Sequence, residues 1–268
     1  MATQEPTRKR KLQDDNNNND AAARKKQKKK EQKKKLKQKR AEDEADLDLE
    51  AGLNRAFERM DGQLLADHLA QKTRRFGTEL SSVELADLHI SANGIKDTTS
   101  FDKPRSLENL PAFLEAFARP SEKLDEAPSK HGSPHTLIVA AAGLRAADLV
   151  RHVKLAVRKF QKKGNPVSKL FAKHFKLEEQ VSFLQKTRTG IAVGTPQRLI
   201  DLIENDALSL ENLKRVVVDA SHIDQKKRGI ADMRETMMPL ARLLCMRDLK
   251  ERICVSPTRD WVTSEERE

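Results

Sequence analysis

The stretch over residues 189–224, TGIAVGTPQRLIDLIENDALSLENLKRVVVDASHID, constrains the fold of this chain more than any other. Two short β-branched runs, at 191–193 and 216–218, predict strands. Between them Leu199, Ile200, Leu202 and Ile203 recur at helical spacing. Thr195 followed by Pro196 predicts the helix start, because the Thr hydroxyl can accept an orphan N–H and Pro fills the first helical position, where no N–H is needed. Strand, helix and strand in succession imply a βαβ unit and a parallel sheet, since parallel strands need a crossover. The corners at 195–198 and 219–222 both follow strands. They therefore lie at strand carboxyl ends, where open α/β sheets bind ligands.

Charge divides the rest of the chain. Residues 1–40 hold 16 Lys and Arg against 5 acidic residues, a net of +11 that equals the net charge of the whole chain. Nothing apolar is available there to bury and like charges repel, so the segment reads as a disordered basic tail. Arg8-Lys9-Arg10-Lys11, a polar spacer, and Arg24-Lys25-Lys26 continuing to Lys28-Lys29-Lys30 have the layout of a bipartite nuclear import signal. The same cations, Lys28, Lys29 and Lys30 among them, would release counterions on meeting RNA phosphates, and the bland alternative is a solubilising arm. No aromatic residue interrupts the run, so base stacking is not expected in it.

Residues 41–130 are acidic, with 19 acidic and 11 basic side chains. Leu53, Phe57, Leu64, Leu65 and Leu69 predict an amphipathic helix from about 46 to 71, Ser81-Ser82-Val83-Glu84 a capping box, and Ser106 the cap of a further helix carrying Leu110, Phe113, Leu114 and Phe117. This segment is expected to pack on the sheet through those apolar faces. In the basic part, residues 131–268, a buried strand is predicted over 136–141, a helix from Leu149 to Phe160, and a further strand at Ile253-Cys254-Val255.

Several chemistries are excluded. Cys245 and Cys254 are the two cysteines, with no paired His spacing, so neither a disulfide framework nor a zinc site is expected. No apolar run approaches a membrane span or the core of a signal peptide, and no metal, cofactor, membrane or small-molecule substrate is expected. No GxxxxGK[ST] phosphate loop occurs in the sequence.

Thr195-Pro196-Gln197-Arg198 and Asp219-Ala220-Ser221-His222 resemble two motifs of the first RecA-like lobe of a DEAD-box RNA helicase. In that family the TPGR motif contacts the RNA backbone, and the DEAD tetrad holds magnesium with its first Asp and activates water with its Glu. Ala140-Ala141-Ala142-Gly143-Leu144-Arg145-Ala146-Ala147 resembles the PTRELA motif with Pro-Thr become Ala-Ala, and Ser256-Pro257-Thr258 resembles the SAT motif with a Pro for the Ala. Motif II is degenerate, because the methyl of Ala220 can neither orient a water nor accept its proton. The Gly-Gly turn is missing, and a second lobe is not expected within these 268 residues.

The whole arrangement resembles the Cms-one family, nuclear proteins associated with the small-subunit processome, the pre-ribosomal particle organised on a box C/D small nucleolar RNA. The resemblance implies a single degenerate RecA-like lobe preceded by a helical segment. It further implies ribosome biogenesis in the nucleus and nucleolus, pre-ribosomal RNA or snoRNA and processome proteins as partners, and no enzymatic activity. Two other readings are a divergent NTPase completed in trans and a pure protein scaffold. Among single residues, Thr195 is a phosphate donor or a plain helix cap, and Arg198 meets RNA phosphate or pairs with Asp201 or Glu204. Asp219 is expected to be a strand-end residue bonded to backbone N–H groups, and His222 structural. Lys226, Lys227 and Arg228 form a charged turn with phosphate contact as the sharper option.

Overall fold

In the computed structural model the described residues are 44–157, 165–172 and 175–250, together with positions 30, 31 and 34. Two units are distinguished, Met1–Asp46 and a second that begins at Leu47. Lys30, Glu31 and Lys34 are exposed and have helical backbone conformations. The import-signal residues Arg8 to Lys11 and Arg24 to Lys26, with Lys28 and Lys29, lie outside the described residues, as do Phe160 and the strand and motif expected at 253–258.

The core of the second unit is a four-stranded parallel sheet of β3 (Thr136–Val139), β4 (Ser168–Leu170), β5 (Ile191–Gly194) and β6 (Arg215–Val218), in the order β4-β5-β3-β6. This is the α/β parallel sheet that the βαβ stretch predicts. The two strands of that stretch are not neighbours, however, because β3 pairs with both of them. Successive side chains along β3 point to opposite faces. Leu137 and Val139 join one core with helices α1 (Gly62–Phe76), α5 (Leu177–Lys186), α6 (Pro196–Glu204), α7 (Arg234–Cys245) and α8 (Arg247–Lys250). Ile138 and Ala140 join the other with α3 (Leu110–Ala116) and α4 (Gly143–Val157). Strands covered on both faces need continuous apolar runs, and all four residues of β3 and of β5 are buried.

The acidic segment departs from the predicted 46–71 helix. Leu47–Asp48 (β1) and Leu53–Asn54 (β2) pair as a small antiparallel hairpin, a 3₁₀ turn follows at Arg55–Glu58, and α1 starts only at Gly62. Gly52 turns the hairpin at φ +64, a conformation a side chain resists. Asp61 then caps α1 by accepting the Leu64 N–H at 2.8 Å. The capping box is present as predicted, with Ser81 and Glu84 bonded reciprocally ahead of α2 (Ser82–Asp87). Ser106 caps nothing with its side chain; its hydroxyl accepts instead from Asn109, and a 3₁₀ turn at Leu107–Asn109 leads into α3. Leu69, Phe76, Leu88 and Ile90 of the acidic segment pack against the buried cluster of the sheet. Among the described residues no helix is long and apolar enough to cross a membrane.

His135, 6% exposed, holds the amino end of β3, its Nδ1 2.8 Å from the Thr136 hydroxyl. Burial, with Lys214 nearby, lowers its pKa from 6.5 to about 4. The folded protein therefore resists protonation that the unfolded chain accepts below pH 6.5. This contribution to stability is full above pH 6.5 and is lost as the pH falls toward 4, about 3 kcal/mol in all. Urea unfolding between pH 7 and 4.5 should show that slope, and His135→Gln should remove most of it. His222, shifted in the same direction, and the carboxylates that the fold holds below their ordinary range, Asp48, Glu79, Glu84, Asp97 and Asp224, lose stability in the same sense as the pH falls.

Candidate nucleic-acid interface

Strands β3, β5 and β6 end side by side, and each is followed by residues of interest. After β5, Gly194 lets the chain pass close to its neighbours: a Cβ there would come within 2.5 Å of the Leu170 carbonyl oxygen. Thr195 takes the extended N-cap conformation and Pro196 enters the first turn of α6, as predicted, but the Thr195 hydroxyl makes no cap bond. The α6 N-terminus thus keeps its free N–H groups, which together with the helix dipole favour an anion.

Arg198 lies in the first turn of α6. Its Nη1 donates to the Phe175 carbonyl at 3.2 Å and to Gln180 Oε1 at 2.9 Å, rather than to Asp201 or Glu204. Asp201 is engaged instead by Gln197 at 2.8 Å. Gln180 in turn donates to the carbonyls of Lys169 and Phe171, so Arg198 ties α6 to α5 and to the β4 edge. The guanidinium is half-buried, and its Nη2 makes no bond to a described residue. In a chain lacking residues 1–40, Arg198→Glu should weaken RNA binding by roughly 1–3 kcal/mol. The Gln180 bond adds a cost that the sequence does not reveal, about 1–2 kcal/mol of stability. RNA titration and thermal melting of the same variant separate the two, and unchanged RNA binding rules out the contact.

The end of β6 holds the main departure from expectation. Asp219 is not bonded to backbone N–H groups by its side chain. Both carboxylate oxygens are taken by Arg145 from the first turn of α4, Nε to Oδ2 at 2.6 Å and Nη2 to Oδ1 at 3.0 Å. Each side chain is only 11% exposed. The bidentate fork suits a carboxylate and excludes water. Arg145 is the residue whose role sequence reasoning missed, although its signal is there: it is the one charged side chain in the Ala-rich strand-to-helix junction at 140–147.

A magnesium–nucleotide group does not fit these residues. The Asp219 carboxylate already faces a fixed guanidinium, and the next side chain is the Ala220 methyl. Ser221 is buried and its carbonyl accepts the Asn54 N–H at 2.7 Å. His222 bridges to Leu53, and burial, then the charge of Arg145, hold its pKa below the ordinary value against the opposing pull of Asp219 and Asp224. A neutral, half-buried imidazole is structural.

In the charged turn, Asp224 accepts the backbone N–H groups of Lys226 and Arg228, both at 2.8 Å, and pairs with the Arg228 guanidinium at 2.9 Å. Lys227 adopts φ +59 at its tip. Arg228 is thereby partly neutralised, and Lys226 and Lys227 are exposed. Lys30 is exposed in the other unit.

The profile of a protein family described as "CMS1: U3-containing 90S pre-ribosomal complex subunit" matches residues 3–259. Protein CMS1 of Chaetomium thermophilum is 74% identical over 246 residues, 92% of this chain and 92% of that protein. Protein cms1 of Schizosaccharomyces pombe is 29% identical over 195 residues, 73% of this chain and 67% of that protein. Among solved structures, the RNA helicase Prp28 from Chaetomium thermophilum bound to ADP overlaps 57% of this chain and 36% of its own, at 19% identity and a TM-score of 0.34.

Proposed function

The chain belongs to the CMS1 family of U3-containing 90S pre-ribosomal complex subunits, and on that premise we propose that it is a noncatalytic, RNA-associated assembly factor in ribosome biogenesis. It works in the nucleus, within the nucleolus, on particles containing pre-ribosomal RNA and a box C/D snoRNA. The parallel-sheet lobe serves as a shape and a surface, and the basic tail brings phosphate to it. The observation that carries this reading is the Arg145–Asp219 pair: the acidic residue best placed to serve a nucleotide is committed to an internal guanidinium, and Ala220 beside it cannot act as a base. What remains chemically available at the strand ends is an anion-binding helix terminus with Arg198 beside it. Such a site meets a phosphate backbone without ATP.

Purified protein assayed with magnesium, ATP and RNA tests the noncatalytic part. Turnover at the level of a blank is expected. RNA-stimulated hydrolysis that disappears in Asp219→Ala would overturn it.

A further inference from the structure

Eight phenylalanines fall among the described residues, and six of them are buried or half-buried. The two exposed ones, Phe175 at 38% and Phe183 at 43%, both belong to the surface that Arg198 joins. Phe175 precedes Lys176, the N-cap of α5, and its ring meets the buried Phe171 ring near-perpendicularly, with 6.1 Å between centroids. The exposed ring is therefore held in place. Phe183 comes three residues after Gln180 and so shares a face of α5 with it, and helical side chains lean back toward the N-terminus. Gln180, 3% exposed, fixes the middle of this surface. Its amide donates to the Lys169 and Phe171 carbonyls, and its Oε1 accepts from the Arg198 Nη1 that also reaches the Phe175 carbonyl. One buried amide thus positions a guanidinium near two exposed rings, which stand about 10 Å apart along α5, room for two separate bases.

Charge and composition select the occupant. Residues 165–198 carry six Lys and Arg against two Glu, and both Glu lie in the first turn of α5, where Glu179 is turned back to accept the Lys176 N–H at 3.2 Å. The exposed large aliphatics among the described residues, Leu49, Leu64, Val83 and Leu144, all come from other elements. An apolar protein-docking face would gather such side chains. Rings interleaved with cations, and no aliphatics beside them, are instead the composition of a surface for single-stranded nucleic acid, since every base has a face to stack.

We propose that Phe175 and Phe183 are stacking platforms for unpaired bases of single-stranded RNA, with Arg198 and the α6 N-terminus holding the phosphates between them. This rests on the RNA association proposed above and adds a contact to bases where that reading needs only phosphate. The tail, which has no aromatic residue, cannot supply it. Its mark is affinity that salt does not remove, because phosphate contacts weaken as counterions are added and ring-to-base contacts do so far less.

Titration of the full chain with oligouridine, and with an abasic strand of equal length and charge, reads this difference across a salt series. Oligouridine should bind at least about tenfold more tightly at every salt, with parallel slopes. Phe175→Leu and Phe183→Leu, which keep apolar bulk and remove a ring, should each weaken oligouridine binding about tenfold and leave the abasic strand unaffected. Phe183→Trp should keep the parent affinity and add an indole fluorescence that oligouridine quenches. Equal binding of the two strands by the unsubstituted chain, which no folding defect can mimic, overturns the platform and leaves the phosphate contacts standing. Leucine variants that bind oligouridine as the parent does also overturn it, and if they lose particle proteins in cells the rings are a protein-docking surface. A parent chain that binds neither strand refutes the RNA association itself, a failure distinct from the other two.

Discussion

Arg145→Met should lower the free energy of unfolding by about 3–5 kcal/mol, the usual cost of stripping a buried charge of its partner. Asp219 is left with its two oxygens in a site nine-tenths closed to water, and its neighbour Val139 offers only the backbone carbonyl that already accepts the Asp219 N–H. Removing both charges is different, since a buried pair replaced by apolar groups of similar size is often neutral or stabilising. The double variant Arg145→Met/Asp219→Leu should therefore recover most of the loss. Urea midpoints with an unchanged slope give these values directly. A single variant within about 0.5 kcal/mol of the parent would show the pair to be loose and solvated. The result bears on function, because a carboxylate needed to complete the β6–α4 junction is not available for other chemistry.

The strand-helix-strand stretch was legible because both of its periodicities are clean: β-branched residues mark both strands, fully buried in β5 and half-buried in β6, and α6 repeats its apolar face at Leu199, Ile200 and Leu202, all buried. The insertion of β3 between β5 and β6 was not, since strand order depends on crossover choices that no local pattern encodes. The helix predicted from 46 failed at Gly52, where one backbone conformation outweighs a helical run of leucines. At the candidate site the reasons are chemical. Arg198 and Asp201 are spaced for a helical pair, yet Gln180, 18 residues earlier, competes successfully for the guanidinium. Asp219 and Arg145 are 74 residues apart, and only the folded sheet brings them together. Thr195 had every sequence mark of a side-chain cap, and its hydroxyl makes no such bond.

Deleting residues 1–40 has the largest expected effect on RNA binding. The segment carries 16 of the 52 Lys and Arg and the entire net charge of +11. If about ten of those cations meet phosphate, the slope of log affinity against log salt for single-stranded RNA is near −7, and affinity at low salt should fall by a thousandfold or more on deletion. The truncated chain should keep a shallow slope from Arg198 and Lys226, and should lose nuclear accumulation with Arg8 to Lys11 and Arg24 to Lys26. A truncated protein that keeps the full slope and stays nuclear would make the tail a solubiliser and move the RNA contact to the lobe.

The central claim, that the protein joins pre-ribosomal particles by touching RNA and without catalysis, meets its most direct test in RNA crosslink mapping on particles purified from cells through the full-length chain. Crosslinks to pre-ribosomal RNA or a box C/D snoRNA are expected, dense on residues 1–40 and sparser around Thr195 and Arg198, and unaltered when ATP is depleted before purification. Particles recovered with no RNA crosslink on either the tail or the lobe would contradict it.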